Sequence, residues 1–96
     1  NNYSANVVKL PQYKFVGEVI AYNEKKQVAT IRQGTFSSVG DEIEFYWSRV
    51  YPFHQTVKEM YNEDGEAIDR APNPMMLLTM EVTQPVAVGD MIRKKK

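Results

Sequence analysis

The sequence KFVGEVIAYNEKKQVATIR, residues 14–32, decides the fold class of this chain. Its first part alternates over residues 14–22, and a period of two is typical of a strand that turns one face to a core. The polar NEKK at residues 23–26 predicts a turn, and QVATIR at residues 27–32 predicts a second strand. Together they predict a β-hairpin. The alternation places on one face of the first strand the side chains of Val16, Glu18, Ile20 and Tyr22.

The rest of the sequence continues in short strands separated by turn signals, without a helical period. Val57 and Met60 lie three residues apart in one predicted strand, which indicates a β-bulge between them. The predicted fold is all-β, a small closed or nearly closed β-barrel of about six to seven short strands. After the hairpin, strands are predicted at residues 42–47, 53–61, 66–70, 75–82 and 91–93.

A short motif occurs twice, as VGDEI at residues 39–43 and as VGDMI at residues 88–92. A looser repeat relates the segment from Val19 to the segment from Val57, since both continue to Tyr-Asn-Glu. These repeats indicate a barrel of two similar halves. Glycine adopts positive φ, and aspartate accepts hydrogen bonds from nearby N–H groups, so such pairs favour turns over catalysis. The predicted structural turn residues are Gly40, Asp41, Asp64, Gly65, Gly89 and Asp90.

The composition fits one domain and excludes several kinds of chemistry. The 96 residues suffice for a single core. Cysteine is absent, which excludes a disulfide scaffold, a thiolate zinc site and a cysteine nucleophile. His54 is the only histidine, and no G-x-S-x-G motif accompanies it. The acidic turn at residues 62–66 lacks the ligand spacing of a calcium loop. No catalytic, metal-binding or cofactor-binding residue is therefore predicted.

The two ends of the chain are predicted to lie outside the domain. Residues 1–12 are polar and mixed, which is typical of a linker or an expression remnant. Residues 13–94 are predicted as the barrel, and residues 95–96 as a frayed basic tail. No apolar run approaches the roughly 18–20 residues that span a bilayer, and no signal peptide is visible.

An aromatic stretch at residues 46–53, YWSRVYPF, is the clearest candidate for a binding surface. Tryptophan, tyrosine and arginine are enriched in binding hot spots. The candidate partner-binding residues are Trp47, Arg49, Tyr51 and Phe53. The alternative is structural, with Trp47 and Phe53 in the core and Tyr51 covering one end of the barrel.

RNA binding is a weaker prediction. Small barrels often bind oligonucleotides, and such surfaces interleave basic and aromatic side chains. Here 12 basic residues are balanced by 12 acidic ones. The candidate residues are Lys14, Lys25, Lys26, Arg32, residues 94–96, Tyr22 and Tyr46.

Several motifs occur in an order that resembles a known family. They are FVGEV at 15–19, FSSVGDEIEF at 36–45, QTVKEMYNEDGE at 55–66, APNPM at 71–75 and QPV at 84–86 with GDMIR at 89–93. This order resembles the C-terminal domain of the collagenase-like peptidases of unknown catalytic type, peptidase family U-thirty-two. Residues 46–51 depart from the resemblance, because a turn rich in glycine and proline is expected there.

The resemblance implies a small β-barrel similar to the second domain of elongation factor Tu. It implies a bacterial or archaeal, mostly cytoplasmic parent, classed as a protease or collagenase, whose N-terminal domain carries the active site. Some family members take part in hydroxylation of tRNA or ribosomal RNA. None of the family's catalytic residues falls in this segment.

The function expected from the resemblance is that of a non-catalytic accessory domain. It would bind or position a protein or peptide substrate, or dock on the N-terminal catalytic domain of the parent chain. The alternative is an RNA-facing module of a tRNA or ribosomal RNA hydroxylation enzyme. No cofactor and no membrane partner are expected.

Overall fold

The computed structural model describes residues 12–34, 37–47, 51–71 and 73–95, which form ten β-strands and no helix. The prediction of an all-β fold is confirmed. The strands are β1 (Tyr13–Asn23), β2 (Val28–Gln33), β3 (Ser37–Ser38), β4 (Glu42–Tyr46), β5 (Phe53–Thr56), β6 (Met60–Tyr61), β7 (Ala67–Ile68), β8 (Arg70–Ala71), β9 (Leu77–Glu81) and β10 (Met91–Lys95).

Eight of the strands form one antiparallel sheet in the order β5-β4-β10-β1-β2-β9-β6-β7, and β3 pairs with β8. The predicted count of six to seven strands is too low. The predicted strand at 53–61 divides into β5 and β6, the one at 66–70 divides into β7 and β8, and β3 lies where the sequence predicts a loop. The last strand continues to Lys95, which pairs with Tyr13.

The predicted closed barrel is also corrected, because β5 and β7 are edge strands of an open, curled half-barrel. No backbone ladder joins these edges within the described residues. A side chain instead bridges β5 and the end of β9. The Gln55 amide donates to the Glu81 carbonyl at 2.9 Å and accepts from the Thr83 N–H at 2.9 Å.

Two irregularities in β1 change which of its side chains face the core. The register with β10 shifts between Phe15 and Gly17, and the register with β2 shifts between Val19 and Ala21. As a result Val16 and Val19 are both buried, although they lie three residues apart. The predicted single face with Val16, Glu18, Ile20 and Tyr22 is therefore wrong, since a bulge reverses the alternation.

The break between β5 and β6 follows the same rule. Val57 and Met60 are both buried, and residues 57–59 between the two strands belong to neither. The predicted irregularity at this point is confirmed. It lets the chain leave the β4–β5 hairpin and continue along β9.

The core consists of apolar side chains from most of the strands, closed at one end by a buried glutamine. Gln33 is fully buried, and its amide donates to the carbonyls of Ala71 and Asn73 at 2.9 and 2.8 Å. These bonds satisfy the carbonyl of the last residue of β8 and one carbonyl of the segment that follows it. The core cluster comprises Val16, Val19, Ala29, Ile31, Ile43, Phe45, Phe53, Val57, Met60, Ala71, Leu78, Met80, Val82, Val86 and Ile92.

The two Val-Gly-Asp turns have the same hydrogen bonds. In the first, the Gly40 N–H donates to the Val57 carbonyl at 2.7 Å, and the Val57 N–H donates to the Asp41 carbonyl at 2.8 Å. In the second, the Gly89 N–H donates to the Val19 carbonyl at 2.9 Å. The Val19 N–H donates to the carbonyl of Asp90 at 2.8 Å. The hydrogen bonds thus confirm the sequence repeat at these positions, with Val19 and Val57 equivalent.

Candidate functional site

A row of side chains crosses the outer face of the sheet from β5 to β1. The register places His54 opposite Glu44, Glu44 opposite Arg93, and Arg93 opposite Phe15. Because side chains alternate between the two faces of a strand, residues two positions along each strand share this outer face. We call five of the outer residues the outer strip: Tyr13, Phe15, Tyr46, Arg93 and Lys95.

Arg93 organises the outer strip. Its guanidinium lies 3.9 Å from the ring centre of Tyr13 and 4.5 Å from that of Tyr46, so it contacts one aromatic ring on each neighbouring strand. Its Nη2 donates to Glu44 Oε2 at 2.9 Å, and this bond raises the pKa of Arg93 above its ordinary value. The cation is therefore held in place by two cation–π contacts and one charged hydrogen bond.

Glu44 is an unusual residue for an outer sheet face, because only 8% of its side chain is exposed. Arg93 lies on one side of it, and His54 Nε2 lies 3.7 Å from Glu44 Oε1 on the other. His54 Nδ1 is also 3.7 Å from Glu42 Oε2. The Glu44 carboxylate thus lies between a guanidinium and an imidazole. Buried charges are tolerated where they have partners of this kind.

A groove of about 270 Å³ runs beside this row, and it includes a second ion pair. Lys94 Nζ donates to Asp41 Oδ2 at 2.9 Å, and the Ser38 N–H donates to the same oxygen at 3.0 Å. Burial raises the pKa of Asp41, but these two hydrogen bonds and the positive charges of Lys94 and Lys14 together hold the pKa below its ordinary value. The groove is lined by Tyr13, Asp41, Glu42, Ile43, Glu44, His54, Lys94 and Lys95.

Two lysines near the outer strip form no ion pair with any residue that the structure describes. Lys95 belongs to the strip, and Lys14 lies next to Tyr13 on the opposite face of β1. The pairing of Tyr13 with Lys95 and of Lys14 with Lys94 collects these cations at one end of the β1–β10 pair. A chain with no net charge therefore gathers basic and aromatic side chains in one region.

The predicted aromatic patch divides between the surface and the core. Trp47 is 72% exposed and Tyr51 is 82% exposed. Phe53 is buried and stacks on Phe45 with ring centres 4.8 Å apart, so it is removed from the candidate surface. Arg49 lies outside the described residues.

The alternative that placed Trp47 in the core is corrected as well. Strand β4 ends at Tyr46, and Trp47 has a φ of +92°. The alternation that buries Ile43 and Phe45 is broken by this turn. Only Phe53 takes the core position that this alternative gave it.

The predicted turn residues lie in turns. Gly40, Gly65 and Gly89 have φ of +99°, +82° and +101°. In the turn between β6 and β7 the side chain that accepts hydrogen bonds is Asn62, whose Oδ1 receives the N–H groups of Asp64 and Glu66. The sequence predicts this turn over residues 62–65, and the structure gives the accepting role to Asn62 rather than to Asp64.

The described residues show neither a metal-ligand cluster nor a membrane-spanning helix. These residues contain no group of three or more histidine, aspartate or glutamate side chains that could hold a metal ion. They contain no helix long and apolar enough to cross a membrane. What the arrangement provides is a sheet face with aromatic rings, a fixed guanidinium and neighbouring lysines. Sequence reasoning missed Tyr13, Phe15 and Arg93, because cross-strand register brings them together.

Comparison with known proteins points to one family. Residues 11–93 match the peptidase family U32 C-terminal domain. The chain is similar to tRNA hydroxylation protein P1 of Bacillus subtilis (strain 168), with 33% identity over 88 residues. The matched region is 92% of this chain and 21% of that relative, so the chain spans about a fifth of the relative's length.

Two solved structures are also similar to this chain. Both are of the C-terminal domain of a Geobacillus thermoleovorans protein described as a U32 peptidase, one of them a selenomethionine variant. The variant has a TM-score of 0.81 at 31% identity and covers 84% of this chain and 99% of its own. The other has a TM-score of 0.80 at 29% identity and covers 86% of this chain and 92% of its own.

Proposed function

The chain belongs to the family of peptidase U32 C-terminal domains. We propose that it is a non-catalytic accessory domain that holds RNA for a larger modifying protein. The similarity to a tRNA hydroxylation protein supports tRNA as the RNA. The chemistry would belong to another part of the parent protein. The sequence alone favours a protein or peptide as the ligand, whereas RNA is preferred here.

The outer strip is the main structural support for RNA binding. Single-stranded nucleic acids are bound by aromatic rings that stack on bases and by cations that follow the phosphates. The strip combines three aromatic side chains with Arg93 and Lys95 on one open sheet face. The guanidinium of Arg93 is flat and charged, and a group of this kind can stack on bases and bind phosphates.

The test is binding of the purified domain to unmodified tRNA, measured by fluorescence anisotropy over a series of salt concentrations. Binding is expected to weaken steeply with salt, because each phosphate contact releases counterions. The variant Lys95→Gln is expected to bind more weakly and to show a shallower salt dependence, by roughly one phosphate contact.

The matched control is Lys25→Gln, which removes the same charge from the exposed turn between β1 and β2. This variant is expected to bind tRNA nearly as well as the unchanged domain. Equal losses in the two variants would mean that total charge matters and that the strip does not. No binding at low salt would contradict the proposed function itself.

A second candidate function is docking of a protein or peptide, including the catalytic domain of the parent. It is favoured by Trp47 and Tyr51, two exposed aromatic side chains of the kind found at protein interfaces. A docking role predicts that substitution of Trp47 weakens association with the rest of the parent protein and leaves tRNA binding by the domain unchanged.

A further inference from the structure

The connected end of the β4–β5 hairpin, where the chain passes from β4 to β5, presents two aromatic side chains to solvent. The last described pair of this hairpin is Phe45 opposite Phe53, which stack in the core. Trp47 lies two residues after Phe45, and Tyr51 lies two residues before Phe53. Their side chains are 72% and 82% exposed. No other aromatic side chain of the described residues is as exposed, since the next, Phe15, is at 45%.

The backbone at Trp47 is strained in a way that favours this exposure. Its φ of +92° lies in the left-handed region, which a bulky side chain rarely adopts. A continued strand would direct the indole towards the side of Phe45, whereas the turn at Trp47 ends β4 and leaves the indole in water. Neither the backbone conformation nor burial of the ring accounts for a tryptophan at this position. Strained residues of this kind cluster at functional sites.

The position of Trp47 in the fold links it to the outer strip. It directly follows Tyr46, whose ring contacts the guanidinium of Arg93. Along β10, the pairing partner of Tyr46 is Met91, and the strip continues from there through Arg93 to Lys95. A polyanion that follows the cations of the strip towards the start of β10 would therefore reach the end of β4, where Trp47 lies.

We propose that Trp47 is a stacking site for an unpaired base of the RNA held by the outer strip. This inference rests on the proposed function and makes it more specific, because a base can reach an indole face only where it is not paired. Phosphates would contact Lys95 and Arg93, and the base beyond them would stack on the indole. The ligand is thus a single-stranded segment rather than a duplex.

Trp47 is the only tryptophan in the chain, so its intrinsic fluorescence reports its own environment. Titration with a short single-stranded oligoadenylate is expected to quench this fluorescence, because the adenine stacks on the indole. A fully paired RNA duplex of the same length is expected to quench it far less. Quenching by the duplex to the same extent would overturn the inference.

Substitution provides the second readout. Trp47→Gly is expected to weaken oligoadenylate binding about 5- to 150-fold, the range for loss of one aromatic–base stack. The same change relieves the positive φ, so the melting temperature is expected to stay the same or rise. Loss of binding without loss of stability is a combination that unfolding cannot produce.

The matched control is Met75→Gly. Met75 is also exposed, at 64%, and also has a positive φ, of +64°, but it lies in the loop before β9. It is expected to show the same effect on stability with no change in binding. Equal weakening by the two variants would overturn the role of Trp47.

Base stacking on Trp47 and RNA binding by the domain can be tested separately. If oligoadenylate binds by anisotropy but Trp47→Gly binds as tightly and the fluorescence does not change, the stacking site is wrong and RNA binding stands. If neither tRNA nor oligoadenylate binds, the proposed function is wrong. If Trp47→Gly instead abolishes association with the rest of the parent protein and leaves RNA binding intact, Trp47 is a protein contact and the stacking site is again wrong.

Discussion

Glu44 is an acidic side chain on the outer face of β4, and Arg93 of the neighbouring strand β10 covers it. The alternation at residues 42–46 correctly separates Glu44 from Ile43 and Phe45 on the two faces of β4. Its burial could not be predicted, because Arg93, which covers it, is 49 residues away in the sequence. Partners on neighbouring strands depend on register, which a single strand does not encode.

Arg93→Ala is expected to destabilise the domain by about 2–3 kcal/mol, since it leaves the Glu44 carboxylate buried without its main partner. Arg32→Ala is the control, because its ion pair with Glu18 has side chains that are 44% and 31% exposed. That change is expected to cost less than about 1 kcal/mol. Urea unfolding of both variants measures the difference, and equal costs would contradict the role given to Glu44.

Asp41 makes the stability depend on pH. Its pKa in the folded domain lies below the ordinary value of 3.8, so the folded state favours the charged carboxylate. The resulting stability is fully present above the unfolded value and is lost as the pH falls through the lower folded value.

Asp41→Asn is therefore expected to flatten the loss of stability below about pH 4, because the group that titrates there is removed. The measurement is urea unfolding at a series of acidic pH values. An unchanged slope in this range would show that other carboxyl groups account for it.

The strands and turns show which elements the sequence can define. The hairpin of β1 and β2 and the positions of β4, β9 and β10 are predicted, because alternation and Gly, Asp and Pro signals mark them. The bulges in β1 are not predicted, because the regular alternation over residues 14–22 assigns Val16 and Val19 to opposite faces without a conflict that would indicate a bulge. The two-residue strands β3 and β8 are too short to show a period.

The repeated turns allow a paired test at this scale. A Cβ atom added at Gly40 or Gly89 would meet nothing within 4 Å, so only the positive φ opposes a substitution. Gly40→Ala and Gly89→Ala are each expected to cost about 1–2 kcal/mol. Chemical unfolding should give similar values for the two, because their hydrogen bonds match. A large difference would show that the two halves are not equivalent.

At the scale of the whole molecule, neutral composition conceals an uneven surface. Equal numbers of acidic and basic residues argue against RNA binding when they are counted along the sequence. The fold instead places Arg93 and Lys95 with aromatic side chains on one face. The acidic turn at residues 62–66 lies at the other end of the sheet order, beside the edge strand β7. Segregation of this kind depends on sheet order, so composition alone does not show it.

Contact between RNA and the outer strip can be tested by nuclear magnetic resonance. Addition of unmodified tRNA to the isotope-labelled domain should shift backbone resonances at residues 13–15, 46–47 and 93–95. Resonances of the turn at residues 24–26 and of the edge at residues 66–68 should remain unchanged. Shifts confined to those distant regions, or no shifts at low salt, would contradict this contact.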